Sequence, residues 1–237
     1  MDFSAAEYAD RDARRLEEVL VGPPVTWVFL GDSITQALVH THGSRGLVEH
    51  FAERVRGELG RLSDAVVNSG VSGARAEDVL GEFDWRAGRF APDVVFVMFG
   101  TNDRQAGPDG VRAFRYRLDQ IVQRTRDVGA TVVLQTPPPV MDDGDGPYAG
   151  LGPYVETVRS LAADLGVVLI DHAAHWAKAA AASGRGPAPA GWLDDPSHPG
   201  ARGHLEMART IFRTLGIDDD VSAVCSLEIE GELSAPV

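Results

Sequence analysis

Cysteine, lysine and long apolar runs are all but missing from this sequence, and each scarcity excludes a class of chemistry. The single cysteine, Cys225, cannot form an internal disulfide or a cysteine-rich zinc site. It also lies beyond the last periodic segment, where a reactive thiol would lack positioned neighbours. The single lysine, Lys178, disfavours Schiff-base chemistry. No stretch of about 18 apolar residues occurs, which argues against a membrane-spanning helix, and the first twenty residues show neither a basic nor an apolar leader segment. The expected location is therefore the cytoplasm. Positive charge is scarce as well: Lys+Arg number 22 against 35 for Asp+Glu, for a formal net charge of −13. That balance argues against nucleic acid or an anionic membrane surface as the main partner. Nothing in the sequence sets an oligomeric state.

Against these absences, 237 residues with 44% hydrophobic content suit one domain with a sizeable core. Short apolar runs at 25–30, 65–67, 94–99, 131–134 and 167–170 read as five strands, each buried on both faces. Longer amphipathic stretches at 47–62, about 111–128 and 153–165 have helical spacing. Gly129 and Gly166 are placed to end the last two just before the next strand. Ser4 and Glu7 fit a capping box, so a helix over about 4–20 precedes the first strand. This alternation predicts an α/β fold, a three-layer α/β/α sandwich around a mainly parallel five-stranded sheet. The domain is expected to span 1–217. Residues 136–153 form a long Pro/Gly/Asp-rich connection, and 218–237 read as an acidic tail, loosely packed on the rest.

Parallel α/β sheets bind ligands beyond the carboxyl ends of their strands, so the residues after each strand bear most on function. They are Gly31-Asp32-Ser33 after the first, Asn68-Ser69-Gly70-Val71-Ser72-Gly73 after the second and Gly100-Thr101-Asn102-Asp103 after the third. Far downstream, Asp195 and His198 stand three positions apart, a spacing that places carboxylate and imidazole on one tight turn ahead of a helix beginning near Pro199. A serine hydroxyl becomes a useful nucleophile when a neutral imidazole takes its proton. His198 is the candidate base, Asp195 its orienting carboxylate and Ser33 the nucleophile. A glycine N–H, the Ser33 N–H and the Asn102 amide are the candidate oxyanion donors.

These blocks, in this order, resemble the SGNH hydrolase superfamily, the GDSL-type esterases and lipases, across residues 29–199. Ser33 in GDSIT matches the family nucleophile, Gly73 in NSGVSG the oxyanion glycine, Asn102 in GTND the oxyanion asparagine, and Asp195 and His198 in DPSHP the final pair. Gly70 is the alternative oxyanion glycine. The resemblance implies the SGNH, flavodoxin-like fold and a Ser-His-Asp esterase with no cofactor and no metal. The nucleophile block has Ile where the family name implies Leu, an aliphatic exchange. The Gly-x-Ser-x-Gly elbow of the other large α/β hydrolase group is absent, since Thr35 stands two positions after Ser33.

Weaker signals surround these. His40 and His42 have an H-x-H spacing but no acidic or cysteine partner nearby in sequence, which favours a substrate-lining loop over a metal site; His42 and Arg45 are binding candidates on it. His172 with Asp171, beside His175, is a rival base. Asp32 and Asp103 either tune the site or brace its loops, with Asp32 also a substrate-binding candidate. Trp85, Trp176 and Trp192 read as core or rim aromatics, and Trp192 as a wall of the cleft. The expected substrate is a short-chain O-acyl ester, of acetyl type, on a small or carbohydrate-like alcohol. The alternatives are acyl transfer or thioester cleavage at the same site, and a non-catalytic binding protein on the same fold.

Overall fold

The computed structural model describes residues 4–141, 149–183, 186 and 188–229. The chain begins with α1 (Ala5–Val21), held at its start by the Ser4/Glu7 capping box: Ser4 Oγ accepts from Glu7 N–H, and Glu7 Oε2 accepts from Ser4 N–H at 2.8 Å. Next come β1 (Thr26–Gly31), the single-turn α2 (Ser33–Gln36) and α3 (Leu47–Ala52). Helix α3 widens into a π-helical stretch over Glu53–Glu58 and stops before Gly60, so the helix expected to reach 62 is shorter and changes its winding midway. Then follow β2 (Ala65–Gly70), α4 (Ala76–Gly81), α5 (Phe83–Arg86), β3 (Val94–Met98), α6 (Val111–Asp127) and β4 (Thr131–Gln135). The chain continues through α7 (Gly152–Leu165), β5 (Val168–Ile170), α8 (His172–Ser183) and α9 (Ala201–Thr214). No helix among the described residues is long and apolar enough to cross a membrane.

The five strands are all parallel, in the order β2-β1-β3-β4-β5. The three inner strands are buried on both faces. Edge strands β2 and β5 are only half-buried, which corrects the expectation for those two: among the described residues each has no strand on its outer side. Alternate residues of each strand enter two separate cores. Val28, Leu30, Val95, Val97, Val132 and Leu134 meet Phe83, Phe114, Leu118 and Tyr154 from α5, α6 and α7. On the other face Trp27, Phe29, Phe96 and Val133 meet Leu16, Phe51, Trp176 and Phe212 from α1, α3, α8 and α9. Phe29 and Phe96 stack at 4.3 Å on neighbouring strands, with Phe51 set edge-on. Each such buried ring contributes on the order of 2 kcal/mol.

Two stretches differ from the sequence reading. Strand β2 runs on through Asn68, Ser69 and Gly70, so only Val71-Ser72-Gly73 of that block lies beyond its carboxyl end. The described part of the tail is packed: Val224 is buried, its N–H reaches Glu58 Oε1 at 3.0 Å, and Arg209 donates to the carbonyls of Cys225 and Leu227 at 2.9 and 2.7 Å. Residues 230–237 of the tail and 142–148 of the Pro/Gly/Asp-rich connection lie outside the described residues.

Candidate active site

The chain passes from β1 outward to β2 and then crosses back over β1 to β3 on its other side, so the carboxyl end of β1 is where the sheet's connections diverge and a crevice opens. Asp32 stands at that point as the N-cap of α2, its Oδ1 accepting from Ile34 N–H at 2.9 Å. Ser33 is the first residue of the helix. Its hydroxyl lies 2.8 Å from His198 Nε2. Behind the imidazole, Asp195 Oδ2 sits 2.8 Å from His198 Nδ1, while Asp195 Oδ1 accepts from the N–H groups of Ser197 and His198, each at 2.7 Å. Partial burial pushes the Asp195 carboxyl upward, but the Ser197 N–H and the His198 ring outweigh it and hold the group below the usual carboxylate range. The 194–198 turn is pinned at its base by an antiparallel bridge between Leu193 and Pro199, and by Asp194 N–H on His198 O at 2.9 Å.

The loop after β3 brings Asn102 to the same place. Its Nδ2 donates to Ala74 O at 3.1 Å and, more weakly, to Asp32 Oδ2 at 3.4 Å. Asp103 is buried one residue on; it accepts from Ala76 N–H and Gly100 N–H, each at 3.1 Å, and so ties this loop to the start of α4. Of the two glycines, Gly70 ends β2 with its N–H taken by Asn68 Oδ1 at 3.1 Å, and a Cβ there would fall 2.5 Å from Gln36 N of α2. Gly73 is exposed at φ +79°, with nothing near the place of a Cβ and no partner for its N–H among the described residues. The Ser33 N–H is likewise without a partner among the described residues.

Ser33, Gly73, Asn102, Asp195 and His198 thus come from four separate stretches to one sheet edge. The remaining candidates divide. Asp32 lies beneath Ser33, 1% exposed, and burial pushes its carboxyl up to about 7; it braces α2 and Asn102 and does not line the cleft. Trp192 is not a wall of the cleft. It is buried against Trp176 at 5.1 Å, because the turn folds back over α8. Arg45 pairs with Glu53 at 2.8 Å at the solvent-facing start of α3. Trp85 is exposed, with the Arg89 guanidinium stacked 3.6 Å above it. The rival base His172 is wholly buried, with its Nε2 on Gln135 Oε1 at 2.9 Å, and Asp171 is spent on Arg159 and Thr136.

His40 and His42 do have an acidic partner, supplied from across the sequence. Asp194 Oδ2 is 2.9 Å from His40 Nδ1 and Asp194 Oδ1 is 2.6 Å from His42 Nε2. The Asp-Asp pair at 194–195 was the one signal that could have pointed to it. His40, Asp195 and His198 also offer donor atoms within 4.8 Å of one another, the arrangement closest to a metal site among the described residues. The rings of His40 and His198 are parallel to within 6°, so their in-plane lone pairs do not converge on one ion, and Nδ1 of His198 is already engaged by Asp195.

The sequence model of the GDSL-like Lipase/Acylhydrolase family matches residues 29–205. Acetylxylan esterase of Geobacillus stearothermophilus is 25% identical over 216 residues, covering 84% of this chain and 97% of that protein. Among solved structures, an alpha/beta hydrolase enzyme from the metagenome of Lake Arreo, Spain, superposes with a TM-score of 0.69 at 24% identity, covering 84% of this chain and 98% of that one. The crystal structure of the Geobacillus acetylxylan esterase superposes at 0.67 with 22% identity over 83% and 96% of the two chains. Further structures of that esterase are described as catalytic mutants, in which a serine, an aspartate or a histidine is replaced by alanine.

Proposed function

The chain belongs to the GDSL-like lipase/acylhydrolase family and is a carboxylic ester hydrolase, and from that premise we propose that it removes short acyl groups, acetyl first, from a carbohydrate-like alcohol through an acyl-enzyme on Ser33. The observation that carries this reading is the 2.8 Å approach of Ser33 Oγ to His198 Nε2, with Asp195 behind the ring. As Ser33 Oγ attacks the ester carbonyl, His198 Nε2 takes its proton and Asp195 stabilises the imidazolium. The carbonyl oxygen, now an anion, is held by the N–H groups of Ser33 and Gly73 and by Asn102. Asn102 has a hydrogen to offer, because its 3.4 Å contact with Asp32 is too long to compete with an oxyanion. The tetrahedral intermediate then collapses, and the C–O bond to the alcohol breaks as His198 returns the proton to the leaving oxygen. Water repeats the sequence on the acyl-serine and releases the acid.

Support for the substrate class comes from the acetylxylan esterase relative and from the loops beside Ser33. Serine, aspartate and histidine are also the residue types altered in that esterase's catalytic mutants. A long-chain lipase must cover many methylenes, each contributing about 0.8 kcal/mol when buried. The loop between α2 and α3 offers Leu38 and Val39, both turned out to solvent, and is otherwise small or polar. Turnover of p-nitrophenyl esters from acetate to palmitate, alongside acetylated xylooligosaccharides, tests the proposal. The expected profile peaks at the short end and includes deacetylation of the sugars. A palmitate optimum overturns the short-chain reading, and acyl transfer to an added alcohol faster than hydrolysis replaces it with a transferase.

A further inference from the structure

His40 lies flat against His198, ring centroids 3.8 Å apart and planes within 6°. Its Nδ1 is 2.9 Å from Asp194 Oδ2 and 3.6 Å from Asp195 Oδ2. Two successive carboxylates therefore hold two stacked imidazoles, each through Nδ1: Asp195 with His198, Asp194 with His40. His42 closes the second pair by engaging the other oxygen of Asp194 at 2.6 Å. An ordinary surface histidine has no such double anchor. The fixed ring covers one face of the proposed base.

That contact matters because the charge of His198 changes during the reaction. When the ring accepts the Ser33 proton it becomes a cation, and a neutral aromatic face in flat contact attracts a cation, whereas a second cation at that distance repels it. We propose that His40 is a positioning residue for the base: its ring, held on the Asp194 carboxylate that His42 also engages, sets the plane of His198 and stabilises the imidazolium that forms as Ser33 is activated. The inference rests on His198 being the base.

The groups in contact with the stacked pair are His42 on its own loop and Asp194 and Asp195 on the 194–198 turn, and His204 of α9 interacts electrostatically with His50, His198 and His40. His204 is wholly buried, and burial pulls its imidazole down to about 3; burial pulls His50 down to about 4. Both stay neutral wherever an esterase is assayed. Burial pushes the Asp194 carboxyl upward, but His42 and His40 outweigh it and hold it below the ordinary range, so Asp194 stays ionised. Asp32, pushed up to about 7 by burial, titrates beneath Ser33 in every variant and cancels from comparisons among them.

The test compares His40→Phe, which keeps an aromatic face, with His40→Leu, which keeps bulk without one, on p-nitrophenyl acetate. His40→Phe is expected within about threefold of the wild-type kcat and His40→Leu about tenfold below it, with KM unchanged in both. Losing the aromatic face removes stabilisation of the imidazolium, so the base resists protonation further. The acid limb of kcat/KM in His40→Leu should move about half a pH unit lower, while that of His40→Phe stays in place. Thermal unfolding near the wild-type midpoint shows that both variants fold. Three results overturn the inference: an unchanged His40→Leu, a His40→Phe as slow as His40→Leu, or an acid limb that moves upward in His40→Leu. His198→Ala, run alongside, separates the two levels: if it keeps turnover, the base assignment fails and this inference with it, whereas an inactive His198→Ala beside an indifferent His40 sinks the inference alone.

Discussion

The hydroxyl of Ser33 and Nε2 of His198 stand 2.8 Å apart, the first on the opening turn of a helix and the second on a pinned turn leading into another. Because a base-activated serine beside free N–H donors reacts with phosphonate electrophiles, a fluorophosphonate probe is expected to label this protein once, at Ser33. Mass mapping of the adduct checks the site. Equal labelling of Ser33→Ala would show that the serine has been misassigned.

Loss of the proposed base should be the costliest single change at the site. His198→Ala is expected to lower kcat by about 10⁴-fold or more, and Asp195→Ala by a factor smaller by about ten, since the carboxylate orients and stabilises without moving a proton. Asn102→Ala, which removes one of the proposed oxyanion donors, should cost about 10²- to 10³-fold in kcat. Steady-state kinetics on one short ester ranks all three. A His198→Ala enzyme with near-native rates would require a different base.

Gly70 and Gly73 should fail differently. A methyl group at Gly70 would press to 2.5 Å from Gln36 N and 2.9 Å from the Thr35 carbonyl carbon, shifting the helix that carries Ser33, so Gly70→Ala is expected to lose both stability and activity. A methyl group at Gly73 meets open space but must sit at φ +79°, which costs on the order of 1 kcal/mol. Gly73→Ala should therefore stay folded and lose activity as its N–H turns away. Thermal midpoints and kcat measured on the two variants decide it; a stable, inactive Gly70→Ala would reverse the assignment.

Acid should unfold the protein through buried histidines other than the proposed base. His172 and His204 are wholly buried, and burial pulls both down to about 3 from an ordinary value of 6.5. The unfolded chain then binds more protons than the folded one below about pH 6.5, so stability falls as pH drops from there toward 3. Asp32 works in the opposite sense: pushed up to about 7 by burial, it contributes stability at low pH that fades as pH rises through 7. Chemical denaturation from pH 7.5 to 4 should show the acid decline, and His172→Gln, which keeps a donor for Gln135, should flatten it. An unchanged slope in that variant would place the acid sensitivity elsewhere.

What could be read from residues alone was local or periodic. Strand and helix positions follow from patterns of two and 3.6 residues, the helix at the N-terminus from a serine and a glutamate three apart, and the placing of Ser33, Asn102 and the Asp195/His198 pair from their positions after strands or on one turn. These depend on neighbours in the chain, and the folded protein keeps them apart from the end of the helix expected to reach 62 and the end of β2. The strand order, the edges that leave β2 and β5 half-buried, the extension of β2 through Gly70 and the burial of Trp192 depend instead on which element packs on which. The same holds for His40: its anchor, Asp194, is 154 positions away, and its stacking on His198 exists only once the 194–198 turn has been folded over the end of the sheet. Periodicity carries no record of contacts at that separation, because they are set by tertiary packing rather than by spacing along the chain.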